Sequence, residues 1–287
     1  MNTAVFDNRV CMLGEGPLWH PMRNQLFWFD ILNHRMLSRD GDDALTWQFS
    51  EAVSAAGWLD QNRLLIASET KLFTFDLTDG RQEAVHPLEA ENPITRSNDG
   101  RADPWGGFWI GTMGHHTEAN AGAIYRFHQG ELRTIADEIT VSNAICFAPD
   151  RSCAYYTNTP THQIMRVALH PDTGWPEEDA QVHLDFSKDG YFPDGAVTDA
   201  AGNLWVAQWG MSRVACYNTQ GTLLRVVDAG ATQTSCPAFG GADLRDLYIT
   251  SAAVNVRDDV RASHPATGQT FIAKGMGQGV AEPRVIL

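Results

Sequence analysis

The chain has 287 residues and carries 35 Asp plus Glu against 21 Lys plus Arg, a formal charge of −14. That balance excludes nucleic acid and anionic membrane surfaces as partners, because both demand a basic footprint. No apolar run approaches transmembrane length, and five scattered cysteines without a C-x-x-C pair read as reduced core thiols, not as a disulfide framework or a zinc–thiolate site.

The first residues, Met1 to Asp7, have neither a basic region nor an apolar core, so no secretory leader and a cytoplasmic location are expected. From there one pattern recurs: a polar turn, then a short apolar run of the aromatic and branched residues that suit a pleated, buried surface. It appears at Asn24–Trp28, Asn62–Ile66, Gly106–Ile110, Ser152–Tyr156, Gly202–Val206 and Arg245–Ile249. With Leu26, Leu64, Phe108, Ala154, Leu204 and Leu247 as equivalent positions, the steps are 38, 44, 46, 50 and 43 residues. Periods of about 40–50 residues with four short strands per unit mark propeller blades.

A further run follows each of these, such as Lys71–Phe75, Ala123–Phe127, Gln163–Val167 and Arg213–Tyr217, and then a weaker fourth. No window of 11 or more residues has a helical period. The expectation is an all-β chain, one domain over residues 1–287: a six-bladed β-propeller of four-stranded antiparallel blades around a central channel. Ala4-Val5-Phe6 is expected to give the last blade its outer strand; a β-sandwich or barrel of irregular hairpins is the alternative. Gly275-Met276-Gly277-Gln278-Gly279 reads as a final turn between strands, since no helix pattern follows it as a dinucleotide loop would require. Most tryptophans read as blade packing, with Trp209 and Phe239 as candidate pocket walls.

About ten residues before each equivalent position lies the start of a blade's first strand, which lines a propeller's channel. Those places hold Glu15, Val53-Ser54-Ala55, Asn98, Asn143, Asp194 and Ser235-Cys236. Two carboxylates and two amides in one concave site make an oxygen-rich cluster suited to a hard divalent cation. Taken singly, Asn or Asp before Gly is equally a turn residue. Recurrence at equivalent blade positions is what favours a shared site.

Gly14-Glu15-Gly16-Pro17-Leu18-Trp19, Arg96-Ser97-Asn98-Asp99-Gly100, Gly111-Thr112-Met113, Ser142-Asn143, Pro193-Asp194-Gly195 and Leu204-Trp205-Val206-Ala207 together resemble the gluconolactonase/regucalcin-like (senescence marker protein) family, in order and over essentially the whole chain. The resemblance implies a six-bladed propeller that opens sugar lactones with one divalent metal ion in its channel. It implies Glu15, Asn143 and Asp194 as metal ligands and Arg96 and Asn98 as substrate contacts. Where regucalcin-like members place a substrate-contacting Glu after Gly-Thr-Met, this chain has Gly114-His115-His116, and His116 is the best match. Calcium is the favoured ion, with magnesium, manganese and zinc also compatible with oxygen ligands.

The expected reaction is hydrolysis of an aldonolactone to its aldonic acid, with Asp194 as general base. The expected partner is thus a small sugar lactone, with the chain a monomer or weak homo-oligomer. There is no G-x-S-x-G elbow or H-E-x-x-H helix for another hydrolase chemistry. The alternative is a non-enzymatic calcium- or sugar-binding propeller of regucalcin type.

Overall fold

Each recurring turn-and-run segment forms the second strand of a four-stranded antiparallel sheet, and six such sheets are present among the described residues. The computed structural model describes residues 3–287; Met1 and Asn2, the start of the stretch read above for a leader, lie outside them. The first strands are Gly14–His20, Val53–Trp58, Thr95–Ala102, Ser142–Phe147, Phe192–Thr198 and Gln233–Gly240, and those of adjacent blades touch in a closed ring. The last sheet is completed by Ala4–Asp7, which pairs with Thr270–Ala273. N-terminal and C-terminal segments thus share one blade, which closes the ring and leaves only the outer strand of each blade as a sheet edge.

The alternation of the strands places one apolar face toward each neighbouring blade. The core is accordingly divided into six clusters, one between each adjacent pair of blades. Trp28, Trp109 and Trp205 are fully buried within them, and Phe239 packs edge-on against Trp205, so it belongs to the core and not to a pocket wall. All five cysteines are buried free thiols. No helix among the described residues is long and apolar enough to cross a membrane.

An aspartate before the second strand fixes several of the turns. Asp103 Oδ1 accepts from the amides of Trp105 (2.8 Å) and Gly107 (2.9 Å), while its Oδ2 accepts from Arg126 Nε at 2.6 Å. Asp199 does the same for Ala201, Asn203 and the Trp205 indole. Asp103 and Arg126 are both fully buried, so Asp103→Ala strands a buried guanidinium. The expected loss is about 3–5 kcal/mol of stability, read as a lower urea midpoint at unchanged m-value. A loss under about 1 kcal/mol would show that the ion pair is not what holds this blade.

Two details depart from the sequence reading. A single-turn helix, Asp258–Ser263, lies between the last two strands. It buries none of its residues and is too short to carry an apolar period, while Asp258 and Asp259 in its first turn suit the helix dipole. Gly275–Gly279 leads into no further strand; residues 274–287 instead run back across blades 5, 6, 2 and 3. That course is held by bonds from Ala200 N to Gln278 O (2.7 Å), Gly279 N to Leu244 O (2.8 Å), Val285 N to Trp58 O (3.0 Å) and Ile286 N to Gly106 O (2.8 Å).

Candidate metal centre and substrate cavity

All six first strands slip register at the same place, between Glu15/Leu18, Val53/Ala55, Ser97/Gly100, Asn143/Cys146, Pro193/Ala196 and Thr234/Pro237. A bulge breaks the two-residue alternation of a strand and re-aims the side chain beside it. In blade 1 the residue after Glu15 is Gly16 at φ +53°, where an added Cβ would lie 2.2 Å from Ser54 O, so both the left-handed turn and the close approach require glycine. In blade 4 the residue after Asn143 is Ala144 at φ +57°, a left-handed conformation that costs an alanine roughly 1–2 kcal/mol. Strain retained at an interior position beside a polar side chain is a mark of a site.

The result is one cavity of about 320 Å³ lined by Glu15, Arg96, Asn98, Asn143 and Asp194, five residues from four blades. Met113, Trp209, Val141 and Leu13 supply apolar walls, and Val254 and Asn255 reach over from the loop before the short helix. The volume falls at the small end of the roughly 300–1,000 Å³ typical of ligand sites.

The amides are held in one orientation by a continuous relay. Arg96 Nη1 donates to Asn98 Oδ1 at 2.8 Å; Asn98 Nδ2 donates to Ser142 O and to Asn143 Oδ1, each at 2.9 Å. Asn143 Nδ2 donates to Thr159 Oγ1 (3.0 Å), which donates on to Pro193 O (2.8 Å) beside Asp194. Both amide hydrogens of Asn98 are committed within the protein, so it orients Asn143 while its side chain lines the cavity. Arg96 keeps an unpartnered buried Nε. A buried donor without a partner is costly, about 1–3 kcal/mol, and a ligand oxygen removes that cost.

The carboxylates lack counter-ions. Glu15 accepts only the Gly16 amide at 3.1 Å, and burial, then the nearby Asp99 charge, pushes its pKa up to about 8. Asp194 lies well above the ordinary range, through burial and then the charges of Glu15 and Asp99. Asp99, raised to about 6 by burial, accepts the Ile145 amide at 2.7 Å. Burial lowers Arg96 to about 10 against the pull of Glu15 and Glu69. Near these three buried carboxylates are two guanidiniums, Arg96 and Arg101, and Arg101 is already paired with Glu282, so an excess of negative charge remains that a divalent cation would neutralise. The donor set of Glu15, Asp194 and the fixed Asn143 oxygen fits such an ion. Only two of those three donors are carboxylates, and no group of three or more His, Cys, Asp or Glu suited to a metal exists among the described residues; a cation here depends on the amide.

His116 is not in the cavity. Its side chain is exposed, and its amide donates to Glu118 Oε2 at 2.9 Å to close the loop. His115 lines the cavity instead, with Nε2 3.1 Å from Glu69 Oε1. The His115 amide bonds Ile94 O, extending the pairing of strand Thr95–Ala102 by one residue; both histidines are exposed, and that register decides which of them lines the cavity. Trp209 does line the cavity, as expected. Asp99, Thr159 and Glu69 were missed: Asp99 sits in an Asn-Asp-Gly that reads as a turn, and the other two lie in short connections with no periodic signal.

A family model described as the SMP-30/Gluconolactonase/LRE-like region matches residues 13–253. The chain is 36% identical to a 6-deoxy-6-sulfogluconolactonase of Pseudomonas putida, covering 95% of this chain and 94% of that protein. It is 32% identical to an L-arabinolactonase of Azospirillum brasilense, over 98% and 94%. Among solved structures it superposes on regucalcin, a calcium-binding protein from Agrobacterium tumefaciens, with a TM-score of 0.97 at 35% identity over 100% and 98% of the two chains.

Proposed function

The chain belongs to the SMP-30/gluconolactonase/LRE-like family, and on that premise we propose that it is a divalent-metal-dependent sugar lactonase, hydrolysing an aldonolactone to the aldonic acid. The observation that carries this reading is the convergence of two counter-ion-free buried carboxylates, a fixed amide oxygen and a partly unpaired arginine in one ligand-sized cavity. Glu15, Asn143 and Asp194 would hold the cation. A bound divalent ion polarises the lactone carbonyl and lowers the pKa of a water next to it.

The remaining steps belong to side chains. Arg96 presents its free guanidinium N–H groups to the lactone and fixes the carbonyl relative to the carboxylates. Asp194, which would hold the cation through one carboxylate oxygen, accepts with the other the proton of the attacking water and returns it to the ring oxygen as the C–O bond opens. Met113, Val141 and Trp209 exclude bulk water from that exchange.

His115, set by Glu69, lines the same cavity and serves to bind the sugar. His115→Ala is expected to raise KM about tenfold, the worth of one hydrogen bond, with kcat changed less than threefold. An unchanged KM on the preferred lactone would remove His115 from recognition.

Three protein ligands fill only part of the six to eight positions calcium takes, which suits turnover better than the saturated site of a purely structural ion. Likeness to a calcium-binding regucalcin supports calcium as the ion. Proton release over a panel of aldono-1,4- and 1,5-lactones, with 6-deoxy-6-sulfogluconolactone included because of the Pseudomonas relative, tests the reading. Turnover above spontaneous hydrolysis on at least one lactone is expected. Protein that binds the metal yet turns over none of them would be a binding propeller.

A further inference from the structure

One buried cation has no part in the reaction described above. Arg101 lies five residues beyond Arg96 on strand Thr95–Ala102, farther along the channel, and is 8% exposed. Its guanidinium spans three elements. Nε donates to Ile145 O at 3.2 Å, Nη2 donates to Ala196 O at 3.3 Å, and Nη1 pairs with the Glu282 carboxylate. Ile145 and Ala196 are each two residues past a proposed metal ligand, Asn143 and Asp194.

Those carbonyls lie where the first strands slip. Ile145 sits inside the bulge between Asn143 and Cys146, and Ala196 closes the one between Pro193 and Ala196. A bulge interrupts the ladder bonds that would otherwise fix the local backbone. Here blade 3 replaces them: Asp99 takes the Ile145 N–H and Arg101 takes its carbonyl. Glu282 comes from the C-terminal strap, anchored by Trp58 Nε1 to Glu282 O (2.8 Å) and by Val285, which is buried in the cluster between blades 2 and 3.

We propose that Arg101, aimed by Glu282 of the C-terminal strap, is a positioning residue for the metal centre. It fixes the spacing of the strands that carry Asn143 and Asp194. The proposal rests on the reading that Glu15, Asn143 and Asp194 hold the cation. It explains why the chain continues 14 residues past its last strand, Thr270–Ala273, and why a buried ion pair sits where apolar packing would serve stability as well.

Charge and positioning give opposite signs. Removing a buried cation near a metal site strengthens metal binding by Coulomb's law; removing a brace on the ligands weakens it, typically 10–100-fold for an outer-shell partner. Calorimetric titration of chelated protein with Ca2+, Mn2+ and Zn2+ separates the two. The variant is Arg101→Met combined with Glu282→Met, which leaves no unpaired charge behind. A Kd raised about 10–100-fold is expected. If the double variant does not fold, Arg101→Lys, which keeps the charge but replaces the three-way fork by one nitrogen, is expected to weaken binding in the same direction. Equal or tighter binding in the folded variant overturns the brace. Wild-type protein that binds none of the three ions overturns instead the metal-centre reading beneath it.

Discussion

Asp194→Asn is expected to lower lactone turnover at least about a thousandfold while raising the melting temperature of the metal-free protein. The loss has two sources. A general base contributes about 10²–10⁴-fold, and the same change removes one of the two anionic ligands proposed for the cation. The gain in stability follows from the site's electrostatics. Asp194 is buried beside Glu15 and Asp99; burial raises the pKa of all three, and repulsion from neighbouring carboxylates adds to it at Asp194 and Glu15. An amide of the same shape carries no charge to be opposed by burial or by Glu15 and Asp99. Sites assembled for function commonly hold such a cost in stability. Thermal melts of chelated protein, run beside proton-release rates, check both halves. Retained turnover would remove Asp194 from the chemistry; lost turnover with a lower melting temperature would make its role structural.

The second large effect is on the pH dependence of chelated protein, whose stability is expected to fall steadily between about pH 6.5 and 8. Glu15 has a folded pKa of about 8 against an ordinary 4.5, and Asp194 is raised in the same sense. A group that holds its proton more tightly when folded adds stability that is fully present below its unfolded pKa and is lost as pH rises through the folded value. Glu15 contributes a slope of about 1.4 kcal/mol per pH unit across that interval, and Asp194 adds to it in the same sense. His20 and His183, lowered by burial from 6.5, act oppositely, but only below the start of this window. Asp99, with a folded value of about 6, has finished titrating by then. Saturating metal should flatten the slope, since the ion displaces the protons. Melts at half-unit pH intervals, with and without metal, read this directly. A flat profile in chelated protein would mean that the carboxylates are neutralised by something other than protons.

Much of this was legible in the sequence because a propeller repeats itself. Leu26, Leu64, Phe108, Ala154, Leu204 and Leu247 all fall in second strands, and counting back from them finds Glu15, Asn98, Asn143 and Asp194 in one cavity although they lie far apart in the chain. Binary pattern and turn chemistry agree in every blade, so each local reading supported the others. What escaped were features set by register and by contacts between distant segments. His115 and His116 are adjacent, and one residue of register decides which of them lines the cavity. Asp99 reads as a turn residue until the bulge and the Ile145 amide are seen. The C-terminal strap has no periodic pattern at all; its path is set by isolated bonds to Trp58 and Gly106, and Glu282 becomes meaningful only opposite Arg101.

The central claim is that turnover needs a cation held at Glu15, Asn143 and Asp194. It is tested most directly by measuring lactone hydrolysis and metal content together, in protein stripped by chelation and then titrated with one divalent ion at a time. Turnover absent from the stripped protein, restored in proportion to bound ion and complete at one equivalent per chain, is the expected result. Full hydrolysis by protein verified to be metal-free would contradict it.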